Sequence, residues 1–138
     1  MITLGIDIGT SGVKVALGAD DDRVLASTSR PLRVSRPQPG FSEQDPHAWW
    51  AAVCDCVDQL HAEQRAALAD TTAVGLSGQM HGATLLDAAG DVLRPCILWN
   101  DGRSEAECGE LERQWPALRE VTGNLETPTE TPTREDAK

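Results

Sequence analysis

The stretch from Ile2 to Leu17 limits what this chain can fold into more than any other. Apolar residues fill Ile2 to Ile8, a Gly-Thr-Ser-Gly turn occupies Gly9 to Gly12, and alternation resumes from Val13 to Leu17. Period-two hydrophobicity on both sides of a short glycine-bearing turn is the pattern of two antiparallel strands. One residue breaks the apolar run: Asp7, between Ile6 and Ile8. A hairpin that simply needs glycine in its turn explains Gly9 and Gly12. It leaves Asp7 unexplained, because an acid in a core strand is costly without a partner. A carboxylate at a strand end, beside small hydroxyl residues and flexible backbone, suits a metal-bound phosphate. Glycine lets backbone N–H groups approach phosphate oxygens, and concave turns bind anions. Thr10 and Ser11 add hydroxyl donors, and Asp7 can hold Mg²⁺ directly or through water. No Gly-Lys-Thr/Ser follows a four-residue spacer, so this is not a P-loop. A strand rather than a helix follows, so it is not the dinucleotide Gly-x-Gly-x-x-Gly turn either.

Further strand pattern covers residues 23–34, after a turn at Ala19 to Asp22, giving a three-stranded antiparallel meander. A loop with Pro37, Pro39 and Gly40 runs to Gln44. Asp45-Pro46 then predicts a helix start, with Asp as N-cap and Pro in the first helical position. The helix is expected to run to about Leu68. Trp49, Val53, Val57 and Leu60 share one face toward the sheet, and Asp55, Asp58 and Gln59 lie toward water. Residues 72–78 predict a short buried strand. A small hairpin around 87–91, a strand from Cys96 to Trp99 and a helix from about Arg103 to Gln114 follow, with one more turn opened by Pro116. Strand runs mixed with packing helices indicate an α/β domain on a mixed sheet.

Two more segments fall where ligands bind in open α/β sheets, beyond the carboxyl ends of strands. Ser77-Gly-Gln-Met-His-Gly82 closes one strand and Trp99-Asn-Asp-Gly-Arg103 closes another. If these ends meet the Asp7 end, one crevice holds Asp7, Gln79, His81, Asn100, Asp101 and Arg103. That set hydrogen-bonds several hydroxyls, as a sugar or polyol requires, and Met80 and Trp99 supply apolar contact with a carbon skeleton. Taken singly, each residue has a plainer role. A loop histidine is often just solvated, Asp101-Gly102 reads as a turn before a helix, and Arg103 can pair with Glu107 one helical turn on.

Composition narrows the partners. A formal net charge of −10 over 138 residues argues against nucleic-acid backbones and anionic membranes. No apolar run approaches the ~20 residues of a membrane span, and the N-terminus enters strand pattern without a basic leader. A cytoplasmic protein is expected. The four cysteines (Cys54, Cys56, Cys96 and Cys108) contain no Cys-x-x-Cys pair, and buried structural thiols are expected. From Glu126 to Lys138 the chain carries a Thr-Pro repeat with no apolar residue before Ala137. This predicts a disordered tail at 126–138 after a folded part at 1–125.

In combination and in order, these segments resemble the FGGY carbohydrate kinases, and are similar to their xylulokinase branch. The residues that carry the resemblance are Gly5 to Lys14, Phe41-Ser-Glu-Gln-Asp-Pro46 with Trp49-Trp50, Ser77 to Gly82, Ile97 to Arg103 and Thr122-Gly-Asn124. The resemblance covers about residues 1–125. It implies an actin-like, ribonuclease-H-like fold with a mixed sheet, of which this chain is an incomplete first domain. It implies transfer of the ATP γ-phosphate, with Mg²⁺, to O5 of D-xylulose, and a possible homodimer at full length. Asp7, Gly9, Thr10, Ser11 and Lys14 then stand on the phosphate and metal side. Gln79, Met80, His81, Trp99, Asn100, Asp101 and Arg103 stand on the sugar side. Met80-His81 matches the family's sugar-contacting pair, where glycerol kinases carry Arg-Glu. The family's catalytic Asp, its second phosphate motif and its adenosine segment lie downstream of this chain, so no catalytic base is expected here and the isolated chain is expected to be inactive. A gluconate or ribulose kinase, another actin-like ATPase, or a non-catalytic sugar-binding remnant are the alternatives.

Overall fold

The alternation of the first thirty residues becomes three strands in the computed structural model, which describes residues 1–122. These are β1 (Ile2–Ile8), β2 (Gly12–Ala19) and β3 (Val24–Pro31). β1 pairs antiparallel with β2, with Asp7 opposite Lys14, and β2 pairs antiparallel with β3. The β2–β3 turn is closed by the Ala19 N–H donating to the Arg23 carbonyl at 2.9 Å. A fourth long strand, β5 (Thr71–Gly78), lies parallel to β1, with Asp7 opposite Ser77, so the order is β3-β2-β1-β5 and the sheet is mixed.

Every second residue of β1 and β2 faces the helix that follows. Leu4, Val13, Val15 and Leu17 bury themselves against Ala52, Val53, Cys56 and Leu60 of α1 (Pro46–Glu63). Asp45 caps α1 as expected: its carboxylate accepts from the His47 N–H at 3.0 Å, and Pro46 opens the helix. The expected inward face holds for Val53, Val57 and Leu60, while Trp49 is half-buried at the sheet's end. Asp55 and Asp58 are exposed. Gln59 departs from the outward expectation, because its side-chain carbonyl accepts from the buried Thr28 hydroxyl at 2.7 Å.

The helix does not run unbroken to Leu68. It ends at Glu63, Gln64 leaves helical geometry (φ −135°, ψ 39°), and a separate α2 (Arg65–Ala69) follows. No proline or glycine causes this break. The change of direction brings Ala67 and Leu68 against the core, so packing overrides continuous helix propensity.

Two expectations about strands are corrected. The strand at 72–78 is an edge, and it is exposed: Val74 and Leu76 are 59% and 79% exposed. Its apolar composition reads as burial, but α1 packs mainly across β2 and β3. The segment at 96–99 does not join the main sheet. β6 (Cys96–Ile97) pairs with β4 (Glu43–Gln44) in a two-stranded ribbon, within what the sequence presents as loop. The 83–93 hairpin is reduced to a single bridge, Leu86 to Val92, around a turn tied by the Asp87 carboxylate. α3 (Glu105–Gln114) and α4 (Leu118–Thr122) complete the described residues. Cys56 and Cys96 are buried thiols, and burial pushes the Cys56 thiol pKa up. The expected tail at 126–138, and Gly123 and Asn124 of the Thr122-Gly-Asn124 motif, lie outside the described residues. No helix among those described is long and apolar enough to cross a membrane.

Candidate functional site

Parallel pairing of β1 and β5 sets the carboxyl ends of both strands side by side. The Gln79 N–H donates to the Ile8 carbonyl at 2.9 Å, so the Gly9–Gly12 turn and the Gln79–Gly82 loop leave the sheet as neighbours. The turn is closed by the Gly9 N–H donating to the Gly12 carbonyl at 3.0 Å. Gly12 is required by space, because a Cβ there would lie 2.7 Å from the Arg30 carbonyl oxygen. In the loop, His81 holds φ +59°. This left-handed conformation is uncommon outside glycine, and non-glycine residues held there cluster at functional sites.

On the sheet face turned away from α1, Asp7, Lys14 and Ser77 stand in one row across three strands. Gly5, Ala16 and Gly75 beside them leave a shallow cavity of about 360 Å³. Asp7 is exposed. The sequence argument from a buried acid is therefore corrected: the carboxylate sits on the uncovered face and needs no buried partner. Its side chain makes no hydrogen bond or ion pair among the described residues, which leaves its oxygens available to a cation. No group of three or more His, Cys, Asp or Glu converges to hold a metal among the described residues. Mg²⁺ does not demand such a cage, since it keeps several waters and binds through one or two carboxylates together with substrate phosphates. A single open carboxylate beside a hydroxyl and a lysine fits that habit.

A hydrogen-bonded ring joins the turn to the loop. The Thr10 hydroxyl donates to Gln79 Oε1 at 2.9 Å. Gln79 Nε2 donates to Gln44 Oε1 at 3.1 Å. Gln44 Nε2 donates back to the Thr10 carbonyl at 2.7 Å. Two indoles feed the ring from outside: Trp49 Nε1 donates to Gln44 Oε1 at 3.0 Å, and Trp99 Nε1 donates to Thr10 Oγ1 at 3.1 Å. Beneath the loop, a cavity of about 290 Å³ is lined by Trp49, Ser77, Gln79, His81, Thr84 and Cys96.

The Trp99–Arg103 loop is held by a second cluster. Arg103 bonds both oxygens of Asp101, at 2.8 and 2.7 Å, and reaches Glu43 at 2.7 Å. Its guanidinium stacks 3.8 Å over the Phe41 ring. Asp101 also accepts from the Ser42 N–H at 2.6 Å and from the Arg103 N–H at 3.0 Å. Burial pushes the Asp101 carboxyl up, but its bonds from Arg103 and from the Ser42 and Arg103 backbone outweigh this and hold it at about 2. Bonding to Asp101 leads the causes that raise Arg103 further above its ordinary value. Arg94 adds a fourth charge, 3.0 Å from Glu43.

The description of the N-terminal domain of the FGGY family of carbohydrate kinases matches residues 2–134. This chain belongs to the FGGY family. It is 52% identical over 125 residues to the xylulose kinase of Escherichia coli (strain K12), covering 91% of this chain and 25% of that protein. It is 50% identical to the xylulose kinase of Klebsiella pneumoniae, covering 91% and 26%. Among solved structures, a xyloylose kinase from Brucella ovis superposes with a TM-score of 0.88 at 49% identity, covering 93% of this chain and 27% of that one. The xylulose kinase of Rhodospirillum rubrum gives 0.79 at 33% identity, covering 83% and 23%. The fold is the actin-like one of these kinases, and the chain spans about a quarter of the length of the relatives it matches.

Seen as part of an FGGY kinase, the sequence-predicted residues divide into two kinds. Asp7, Ser11, Lys14, Met80, His81, Trp99 and Asn100 are exposed at or near the strand ends. The Thr10 hydroxyl, the Gln79 amide, the Gly9 N–H, Asp101 and Arg103 are already engaged with protein partners. Arg103 pairs with Glu43 and Asp101 rather than with Glu107. Sequence reasoning did not name Gln44 or Glu43 as site residues, and it placed Trp49 on the sheet-facing side of the helix rather than in the site. All three lie inside or beside the Phe41–Pro46 segment, whose only visible signal was its place in the family pattern.

Proposed function

We propose that this chain is the N-terminal part of an ATP-dependent sugar kinase that phosphorylates D-xylulose, with the sugar at Met80 and His81 and the phosphate at the Gly9–Gly12 turn. The observation that carries the reading is the direct joining of turn and loop, with Thr10 bonded to Gln79 at 2.9 Å across the ends of β1 and β5. Phosphoryl transfer depends on holding acceptor and phosphate in line, and these two segments are held by one ring.

Exposed Met80 and Trp99 offer apolar surface to a sugar's carbon skeleton, and His81 and Asn100 offer polar groups to its hydroxyls. Once a bound sugar covers these groups, a ligand that lacks the partner hydroxyl leaves them unpaired. Asp7 would hold Mg²⁺, which when bound neutralises charge on the transferring phosphoryl group. Lys14 and Ser77 flank it on the neighbouring strands. Asp101 and Glu43 stay paired to Arg103, and Asp7 is assigned to the metal, so no carboxylate of this site is left as a general base. The isolated chain is therefore expected to bind rather than turn over.

A chimera tests this reading. Residues 1–125 of this chain would replace the matching segment of the Escherichia coli xylulose kinase. The expected result is D-xylulose-dependent ATP consumption within about tenfold of the parent, with none from the isolated chain. A folded chimera without D-xylulose turnover, or one that prefers glycerol or gluconate, would contradict the assignment.

A further inference from the structure

We infer that Gln44 is a positioning residue that makes the phosphate turn and the sugar loop move as one body. This rests on the sugar-kinase reading for its purpose, but not for its geometry. Gln44 is 2% exposed, so it acts through the residues it bonds and not on a ligand directly. It accepts from Trp49 and from Gln79, and donates to the Thr10 carbonyl.

The direction of every bond in the ring is fixed by chemistry. An indole N–H can only donate. Trp49 therefore obliges Gln44 to present its oxygen, which turns the Gln44 NH₂ toward the Thr10 carbonyl. With Gln44 Oε1 facing Gln79, Gln79 must offer its NH₂ there and its oxygen to Thr10. The Thr10 hydroxyl then donates to Gln79 and accepts from Trp99, again a donor-only group. No amide in the ring can flip without setting donor against donor or oxygen against oxygen. A displacement of the loop at Gln79 is therefore passed to the turn by two routes, directly through the Thr10 hydroxyl and through Gln44 to the Thr10 carbonyl. Gln44 holds the second route, and it also anchors both segments to the N-terminal turns of α1 through Trp49.

The test uses the indole N–H resonances of the full chain, which has four tryptophans. Trp50 and Trp115 are 69% and 49% exposed and serve as references. Trp49 and Trp99 report the two ends of the ring. Gln44→Glu keeps an acceptor for Trp49 but cannot donate to Thr10; Gln44→Met removes both functions. In Gln44→Glu, the Trp99 indole is expected to exchange with water at least about fivefold faster, the equivalent of one lost hydrogen bond, while Trp49 changes little. In Gln44→Met both accelerate. Trp99 bonds Thr10 and makes no hydrogen bond to Gln44, so its response reports transmission through the ring. An unchanged Trp99 in both variants would overturn the inference.

If circular dichroism shows that the Gln44 variants do not fold, Thr10→Val decides from the other side. It removes the hydroxyl, and Trp49 should then respond, whereas an unchanged Trp49 would overturn the inference. Added D-xylulose should shift the amide signals of Thr10 and Ser11 in the native chain, and less so in Gln44→Glu. Equal shifts in both would also overturn it. Absence of any sugar response in the native chain would contradict the sugar-kinase reading, with the ligand-free exchange rates still deciding the role of Gln44.

Discussion

Asp101 shows how a polar residue near a site can belong to its frame. Its carboxylate is closed to solvent and bonded by Arg103 and by two backbone N–H groups. Its folded pKa of about 2 lies below the ordinary 3.8, so the sign of the pH effect is fixed. The stability it contributes is complete above about 3.8 and is lost as pH falls toward 2. Asp101→Asn should flatten that acid limb in urea melts recorded across pH, and lower stability at neutral pH by about 1–3 kcal/mol by leaving Arg103 and the Ser42 N–H short of partners. An unchanged acid limb would mean the cluster adds nothing to folding. From sequence, Asp101 and Arg103 were visible as candidates but not as a clasp, because their partners Glu43 and Ser42 are about sixty residues away in the chain. Asp7 was legible for the opposite reason, since one acid in an apolar strand stands out whichever face it takes.

Elements were read well where local chemistry decides them. The β1–β2 hairpin follows from alternation and from a turn whose Gly12 has no room for a side chain, and the start of α1 follows from Asp45-Pro46. They were read poorly where packing decides. Nothing local marks the break at Gln64, the ribbon of β4 with β6, or the exposure of β5. The balance of the two influences on α1 is measurable. Leu60 is fully buried, and Leu60→Ala should lower the free energy of unfolding by about 2–5 kcal/mol. Asp45→Ala removes only the cap and should lower it by about 1 kcal/mol. The reverse order in urea denaturation would mean that α1 is held by its end rather than by its face.

At the scale of the molecule, β5 is the edge of the sheet among the described residues, and its Val74 and Leu76 are exposed. Unpaired strand edges with exposed apolar side chains favour association. Sedimentation velocity should show concentration-dependent self-association that Leu76→Lys reduces, with stability unchanged within about 0.5 kcal/mol because the side chain is exposed. A monomer at every concentration would contradict this. On the proposed reading, the sugar pocket is complete within this quarter of an FGGY kinase, at the joined ends of β1 and β5. Isothermal titration of D-xylulose into the chain, beside His81→Ala, decides between the outcomes. Saturable heat that is lost in the variant is expected; a folded native chain that gives no heat, or heat unchanged in His81→Ala, would overturn the reading.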